Sequence, residues 1–205
     1  AADLGIVEQL QGMPKLPKEA KSVLGDLEEI ATTGGKFVGD ILNVSRIERG
    51  VLQVNLGEVG LSALVGQTLE PLLETAKERG TSFEVSAIPK AAKVHVDVEK
   101  TVEALRNVAD NATKYSPKGT PVTIAVAQDG PKTWTISVSD KGKGIPKEFW
   151  DKVFEIKSEV TPDASSGSAG LGLYLTKKFL EAMGGSVSFK TGPKGTTFVV
   201  RLPAA

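Results

Sequence analysis

Hydrophobic side chains at three- and four-residue spacing dominate the first quarter of the chain. A short apolar stripe lies in 4–10, and a longer one runs through 18–49. Between them, 12–17 contains a glycine and two prolines, which break a helical pattern. The pattern therefore predicts a helical hairpin over 1–50, whose long second helix runs from about 18 to 49 with Gly34-Gly35 interrupting the apolar pattern in its middle. The longer stripe consists of Leu24, Leu27, Ile30, Ala31, Val38, Ile41, Val44 and Ile47.

Two helices alone cannot bury such a stripe. We expect the hairpin to pair with a second copy into a four-helix bundle, which makes the protein a homodimer. The alternative is that the stripe packs onto the rest of the same chain.

Residues 51–205 alternate between strand-like and helix-like patterns. The Asp129-Gly130 pair is typical of a hairpin turn, and Gly184-Gly185 is typical of a helix end. The succession predicts an α/β (α+β) two-layer sandwich, with a mixed sheet covered by helices. The predicted strands are 51–55, 82–87, 93–96, 122–128, 133–139, 186–190 and 196–202, and the predicted helices are 61–79, 98–115 and 172–183.

Composition narrows the classes of function. The chain has 205 residues, with 25 basic and 25 acidic side chains, so its net charge of zero argues against nucleic-acid binding through bulk positive charge. It has no cysteine, which excludes disulfides and thiolate chemistry. No apolar run approaches the roughly 18 residues of a membrane span, and no signal peptide is visible. We expect a cytoplasmic segment without membrane contact, and a membrane-anchored parent protein stays compatible with it.

The predicted helix 98–115 carries a row of polar side chains. Glu103, Asn107 and Asn111 follow at four-residue spacing and project from roughly one face. Lys114 and Tyr115 come within one further turn. Oxygen ligands suit Mg²⁺, a lysine can meet a phosphate, and a tyrosine ring can stack on a base. The row indicates a metal and phosphate site, and its alternative is a solvated helix face.

Two glycine-rich turns follow this helix. Asp140 ends a predicted strand and enters Gly142-Lys-Gly144, where glycine permits close backbone approach. The carboxylate there can accept a hydrogen bond from an exocyclic amine such as that of adenine. The Gly-Leu-Gly turn at 170–172 opens a helix, whose first amides and dipole favour an anion. Each turn by itself is equally compatible with an ordinary connection.

The segment between the two turns, 157–168, is polar and rich in serine and glycine. Its position between two motifs favours a lid over a ligand. The alternative is a solvated connector without a role.

The polar row, the two glycine-rich turns and the segments around them, in this order along the chain, resemble the ATP-binding catalytic region of sensor histidine kinases, within the wider GHKL ATPase group. Upstream, Asp40-Ile-Leu-Asn-Val-Ser-Arg-Ile-Glu-Arg-Gly50 is similar to the end of the family's dimerisation hairpin, so the resemblance covers nearly the whole chain. It implies a dimerisation hairpin over 1–50 and an ATP-binding domain over 51–205. The blocks are 107–115 for the N box, 140–144 for the first glycine box, 154–155 for the start of the F box, 168–173 for the second glycine box and 195–198 for the last glycine turn.

The resemblance also implies a role for each site residue. Asn111 would be the main Mg²⁺ ligand, with Asn107 and Glu103 supporting it, and Lys114 would contact phosphate. The base would meet Tyr115 and Asp140. The remaining implied contacts are Gly142 and Gly144 at the base pocket, Gly170, Leu171 and Gly172 at the phosphates, and Thr196 and Thr197 at the adenine side.

Three departures from the family pattern stand out. Ser168 occupies the place of the first glycine in the second glycine box, and Ile156-Lys-Ser158 stands where the family has an aromatic residue. The third departure is the phosphoacceptor, because the single histidine, His95, lies in a predicted strand and is expected to face solvent. The family's acceptor would fall several residues before Leu4.

Two readings of the missing acceptor follow. In the favoured one, the chain is a piece of a longer kinase and transfers the ATP γ-phosphate to a histidine that it does not itself carry, with a response-regulator receiver domain as downstream partner. In the other, it is a signalling and dimerisation module that binds nucleotide without phosphorylating itself. A third activity, such as a serine-directed kinase or another ATPase, is disfavoured by the hairpin's ending.

Overall fold

The computed structural model describes residues 17–156 and 170–205. It divides into two compact units, Ala1–Glu48 and Arg49–Ala205. The first predicted helix, the predicted lid 157–168 and the substituted position Ser168 lie outside the described residues.

The first unit contains one long helix, α1 (Lys18–Glu48). It continues through Gly34-Gly35, where the apolar pattern is interrupted, which agrees with the one long helix predicted over 18–49. Each glycine costs roughly 1 kcal/mol relative to alanine in a helix, which the surrounding helical pattern outweighs. Seven of its large apolar side chains are exposed, four of them in the apolar stripe, with exposed fractions between 45% and 68%. The exposed side chains are Val23, Leu27, Ile30, Phe37, Val38, Ile41 and Leu42.

The second unit places helices against a mixed sheet, which confirms the predicted fold class. The five-stranded sheet has the order β2-β4-β5-β7-β6, in which β2 is parallel to β4 and the other neighbours are antiparallel. A separate two-stranded sheet pairs β1 with β3. The strands are β1 (Gly57–Gly60), β2 (Ser82–Val85), β3 (Lys93–Val96), β4 (Pro121–Gln128), β5 (Thr133–Ser139), β6 (Ser186–Gly192) and β7 (Gly195–Pro203). The helices are α2 (Leu61–Leu69), α3 (Leu73–Glu78), α4 (Val98–Tyr115) and α5 (Gly172–Ala182), and 3₁₀ turns span Glu70–Leu72 and Lys147–Lys152.

Two predicted elements needed correction. Residues 51–55 form no strand, because the Asn55 amide donates to the Asp97 carboxylate (2.8 Å) instead of to a neighbouring strand. The predicted helix 61–79 divides at Glu70–Leu72, where Pro71 has no amide hydrogen to continue the ladder.

The core lies between the sheet and helices α2, α4 and α5. Alternating residues of β4, β5 and β7 turn inward, and the helices contribute their apolar sides. Helix α4 is central to this layer because it packs against both α2 and α5. Fully buried members include Leu64, Leu105, Val108, Val122, Ile136, Leu175, Phe179 and Val200.

Local contacts hold both ends of α4. At its start, Asp97 caps the helix by accepting from the Lys100 amide (3.0 Å). Near its end, Arg79 donates to Asp110 and to the Thr113 hydroxyl, both at 2.7 Å. These contacts fix the helix that carries the polar row.

Candidate functional site

The polar row of α4 faces the start of α5. Asn107 is 6% exposed, and its side-chain amide donates to the Gly172 carbonyl at 3.2 Å. A Cβ at position 172 would lie 3.2 Å from the Asn107 Cγ atom, so only glycine fits there without displacement. The structure thus brings the N-box asparagine and the second glycine turn together.

Glu103 and Asn111 lie one turn on either side of Asn107 and are half-buried. Residues at this spacing are neighbours on a helix surface. The row therefore presents one carboxylate and two amide groups along one side of α4.

The end of α4 carries a cation beside an aromatic ring. The Lys114 ammonium lies 5.4 Å from the centre of the Tyr115 ring, within cation–π range. Tyr115 is 43% exposed, which leaves part of its surface open to a ligand.

Asp140 is held firmly at the end of β5. Its Oδ1 atom accepts hydrogen bonds from the Gly142 amide (2.8 Å) and the Thr196 amide (3.1 Å). Burial raises the pKa of this carboxyl group, and the backbone amides offset that effect only in part. Both of these hydrogen bonds reach Oδ1, and neither involves Oδ2. A fixed acceptor with one oxygen available can receive a hydrogen bond from a bound ligand.

The first glycine turn packs tightly on its surroundings. A Cβ at position 142 would lie 2.6 Å from the Tyr115 carbonyl oxygen, and one at Gly144 would overlap the Gly192 carbonyl. Gly144 also has φ of +77°, which favours glycine. The turn is therefore wedged between the end of α4 and the β6–β7 hairpin.

The second glycine turn leads into α5. Gly170 has φ of +67°, Leu171 is buried, and the helix begins at Gly172. Among the described residues, no side chain caps the helix start, and no acidic residue occupies its first turn. Its leading amides are therefore suited to an anionic ligand.

The last glycine turn places the two predicted threonines differently. Thr196 is 5% exposed and bonds through its backbone to Asp140, whereas Thr197 points to the other side of the sheet and shares a hydrogen bond with Ser139 (2.8 Å). Thr196 adjoins the site, and Thr197 supports the strand pairing beside it.

One residue beside the site was absent from the predicted set. The Thr191 hydroxyl accepts from the Ile145 amide (2.8 Å) and shares a hydrogen bond with the Thr196 hydroxyl (3.0 Å). Thr191 lies opposite Thr196 in the β6–β7 hairpin. This pairing register is the signal that could have identified Thr191.

The F-box phenylalanine has a structural role. Phe154 packs on Phe189 and Phe198, with ring centres 5.9 and 6.3 Å away. Those contacts anchor the segment that follows the first glycine turn to the sheet.

The oxygen donors of the row fit Mg²⁺. Carboxylate and amide oxygens are hard ligands, and Mg²⁺ is commonly held by one or two side chains together with phosphate oxygens. Within 17–156 and 170–205, no group of three or more histidine, cysteine or acidic residues is arranged to hold a metal ion.

Fold and site together define a GHKL-type ATPase domain. Residues 96–205 match the family described as "Histidine kinase-, DNA gyrase B-, and HSP90-like ATPase", and the chain belongs to that family.

Within the family, the chain is similar to sensor histidine kinases. It is 29% identical over 211 residues to the signal transduction histidine-protein kinase/phosphatase MprB of Mycobacterium sp. (strain KMS), covering 98% of this chain and 39% of the relative. It is 28% identical to the adaptive-response sensory kinase SasA of Synechococcus elongatus, covering 96% of this chain and 49% of the relative. The chain thus spans less than half the length of these two relatives.

A solved structure agrees with the sequence comparison. The crystal structure of full-length ShkA in complex with AMPPNP has a TM-score of 0.76 and 27% identity, over 98% of this chain and 42% of that one. These likenesses confirm the resemblance to histidine kinases. In the described part of the chain, no helix is both long enough and apolar enough to cross a membrane.

Proposed function

We propose that the second unit binds ATP with Mg²⁺ and transfers the γ-phosphate to a histidine of an acceptor helix that these 205 residues do not include. The observation that carries the proposal is the meeting of α4 with both glycine turns. Asn107 bonds Gly172, and Gly142 lies against the Tyr115 carbonyl. The family's ATP-binding blocks therefore converge on one helix.

The geometry suggests how the nucleotide would sit. The adenine amine would donate to the available oxygen of Asp140, and the Tyr115 ring would line the base or ribose. The phosphates would lie toward Gly170, Leu171 and the amides at the start of α5.

The polar row would hold the metal. Asn111 would be the main ligand, with Asn107 and Glu103 supporting it, and Lys114 would turn from Tyr115 toward a phosphate. When bound, Mg²⁺ would neutralise phosphate charge, which is the main requirement of phosphoryl transfer. The protein's own part is then to position the γ-phosphate and the acceptor.

His95 is unsuited as the acceptor. It is exposed on β3, opposite Glu58 of β1. The expectation that it faces solvent from a strand is confirmed. We expect no acid-labile phosphate on the isolated chain when it is supplied with labelled ATP.

We propose two protein partners, a second copy of the chain and a response-regulator receiver domain. The exposed apolar stripe of α1 supports a homodimer through the hairpin, because such a surface is normally covered. A response-regulator receiver domain would take the phosphate from the acceptor histidine. Both steps belong in the cytoplasm.

One observation favours the alternative function, a signalling module that binds nucleotide without catalysis. The only histidine of the chain is His95, so it has no acceptor of its own. A trans-phosphorylation assay with a supplied acceptor domain separates the two functions. Transfer to its histidine supports the kinase, and nucleotide binding without transfer supports the module.

Titration calorimetry with ATP, with and without Mg²⁺, tests the site. Asn111→Asp places a negative charge beside the phosphates and should lower Mg·ATP affinity by about tenfold or more. Gln128→Glu makes the same amide-to-carboxylate change at an exposed position on β4 and should bind as the wild type does. Equal affinities for Asn111→Asp and wild type would refute the assignment of Asn111.

A further inference from the structure

We propose that Thr191 is a positioning residue for nucleotide recognition, which holds the first glycine turn and the Thr196 hydroxyl in the arrangement that selects adenine. The inference rests on the proposed ATP site and deepens it. Thr191 acts through Ile145 and Thr196 and needs no contact with nucleotide of its own.

The hydrogen bonds of Thr191 join two segments. Its hydroxyl oxygen accepts from the Ile145 amide at 2.8 Å, directly after the first glycine turn. The same oxygen lies 3.0 Å from the Thr196 hydroxyl, across the β6–β7 hairpin. One side chain thus connects the end of the turn to the strand that faces Asp140.

The glycine turn is fastened at both ends by the same hairpin. At its start, the Asp140 amide donates to the Thr196 carbonyl (2.9 Å), and the Thr196 amide donates back to the Asp140 carboxylate (3.1 Å). At its end, Thr191 holds the Ile145 amide, and the Trp150 indole donates to the Ile145 carbonyl (2.9 Å). Without Thr191 the hairpin loses its side-chain hold on the end of the turn.

The hydroxyl groups allow one further role. Each threonine has one hydrogen to donate and two lone pairs to accept with. When Thr191 donates to Thr196, the Thr196 hydrogen is left for another acceptor. Thr196 adjoins the Asp140 carboxylate, so that hydrogen is available to a bound base or a bridging water. Thr191 would thus influence which edge of a base the site accepts.

The hairpin is built to keep this geometry. Thr191 and Thr196 are paired across the strands, and only Pro193 and Lys194 lie between the last paired residues, Gly192 and Gly195. A short loop with proline restricts the backbone. The two hydroxyls are therefore held face to face before any ligand arrives.

The main test compares Thr191→Val with Thr191→Ser by calorimetry with ATP and GTP. Valine keeps the shape but removes the hydroxyl, whereas serine keeps the hydroxyl. We expect Thr191→Val to lose roughly tenfold in ATP affinity and to reduce the preference for ATP over GTP, because one or two hydrogen bonds are lost. Thr191→Ser should keep both the ATP affinity and the preference for ATP over GTP of the wild type.

A matched control lies on the same sheet. The Thr135 hydroxyl donates to the Ala127 carbonyl (3.1 Å) on β4, in the adjoining strand pair. Thr135→Val should leave ATP affinity and the ATP-to-GTP ratio unchanged. An equal effect of Thr135→Val and Thr191→Val would reduce Thr191 to a general structural role and overturn the inference.

A second readout needs no nucleotide. In the ligand-free protein, hydrogen exchange at the Ile145 amide should be roughly tenfold faster in Thr191→Val than in wild type or Thr191→Ser. Should the valine variant fail to fold, Thr191→Ala replaces it. Unchanged exchange at Ile145 would refute the role of Thr191 even if ATP binds. Absence of ATP binding in the wild type would instead refute the proposed function.

Discussion

Helices α1 and α4 have the same apolar periodicity, but their apolar side chains differ in burial. In α4 the apolar side is buried against the sheet and neighbouring helices, with Leu105 at 2% and Val108 at 0% exposure. In α1 the corresponding side chains stay open, with Ile30 at 68%. The comparison teaches that an apolar stripe on a helix indicates a surface that another element should cover. The stripe does not indicate whether that element belongs to the same chain. The polar row of α4 lies on another side of the same helix, next to the start of α5.

The largest expected change in stability comes from a substitution on the buried side of α4. Leu105→Ala in α4 should lower the free energy of unfolding by about 2–5 kcal/mol, because it leaves a cavity in a packed core. The measurement is urea unfolding followed by circular dichroism. Leu27→Ala makes the same change in α1, where the side chain is 49% exposed.

Leu27→Ala should leave the main unfolding transition within about 0.5 kcal/mol of wild type. It should instead weaken self-association in sedimentation velocity, as expected if a second copy covers α1. Comparable loss of stability from both variants would contradict the distinction between the two helices.

An intermediate effect concerns the cap of α4. Burial alone would raise the pKa of Asp97, but hydrogen bonds from Asn55 and Lys100, and the charge of Lys100, outweigh it and lower the pKa. This stabilisation is fully present above the unfolded-state pKa of about 3.9 and is lost as pH falls through the lower folded pKa. Asp97→Asn should therefore cost about 1–3 kcal/mol at pH 7.

The Asp97→Asn difference should shrink as pH is lowered into the acid range, measured by urea unfolding at a series of pH values. Asp151→Asn makes the same change at an exposed position and provides the control, with an expected free energy of unfolding within about 0.5 kcal/mol of wild type. A pH-independent gap between Asp97→Asn and wild type would argue against the charge as its cause.

The smallest effect on stability is expected at Asp140. Because burial raises its pKa, the ionised group opposes folding at neutral pH, and this opposition fades as pH falls through the folded pKa. Asp140→Asn should therefore keep or slightly raise stability, within about 1 kcal/mol. ATP affinity should nevertheless fall about tenfold or more, because the substitution changes the acceptor that we propose for the adenine amine.

Thermal unfolding and calorimetry on the same Asp140→Asn sample check both expectations. Asp129→Asn, exposed at the β4–β5 turn, should change neither quantity much. A large loss of stability in Asp140→Asn would show that the carboxylate is mainly structural.

The sequence was most informative where the determinants are local. The bounds of α4 were predicted at Val98 and Tyr115, as observed, because the cap Asp97 and the Ser116-Pro117 stop lie beside them. The glycine motifs likewise indicated close backbone approach at Gly142 and Gly144, which the structure shows.

Prediction failed where the partner is distant in sequence. The strand expected at 51–55 depends on a neighbour, and Asn55 bonds instead to Asp97, which lies far along the chain. Thr191 escaped notice for the same reason, since its importance comes from Ile145 and Thr196 and from no motif of its own. The assignment of nucleotide and metal contacts to the site residues stays a prediction.

The indole of Trp150 has a practical consequence. It is 43% exposed and bonded to the Ile145 carbonyl, whereas the chain's other tryptophan, Trp134, is 8% exposed in the sheet. The molecule therefore carries a native fluorophore at the edge of the first glycine turn, with a shielded second one as internal reference. Its emission offers a label-free optical record of events at that turn.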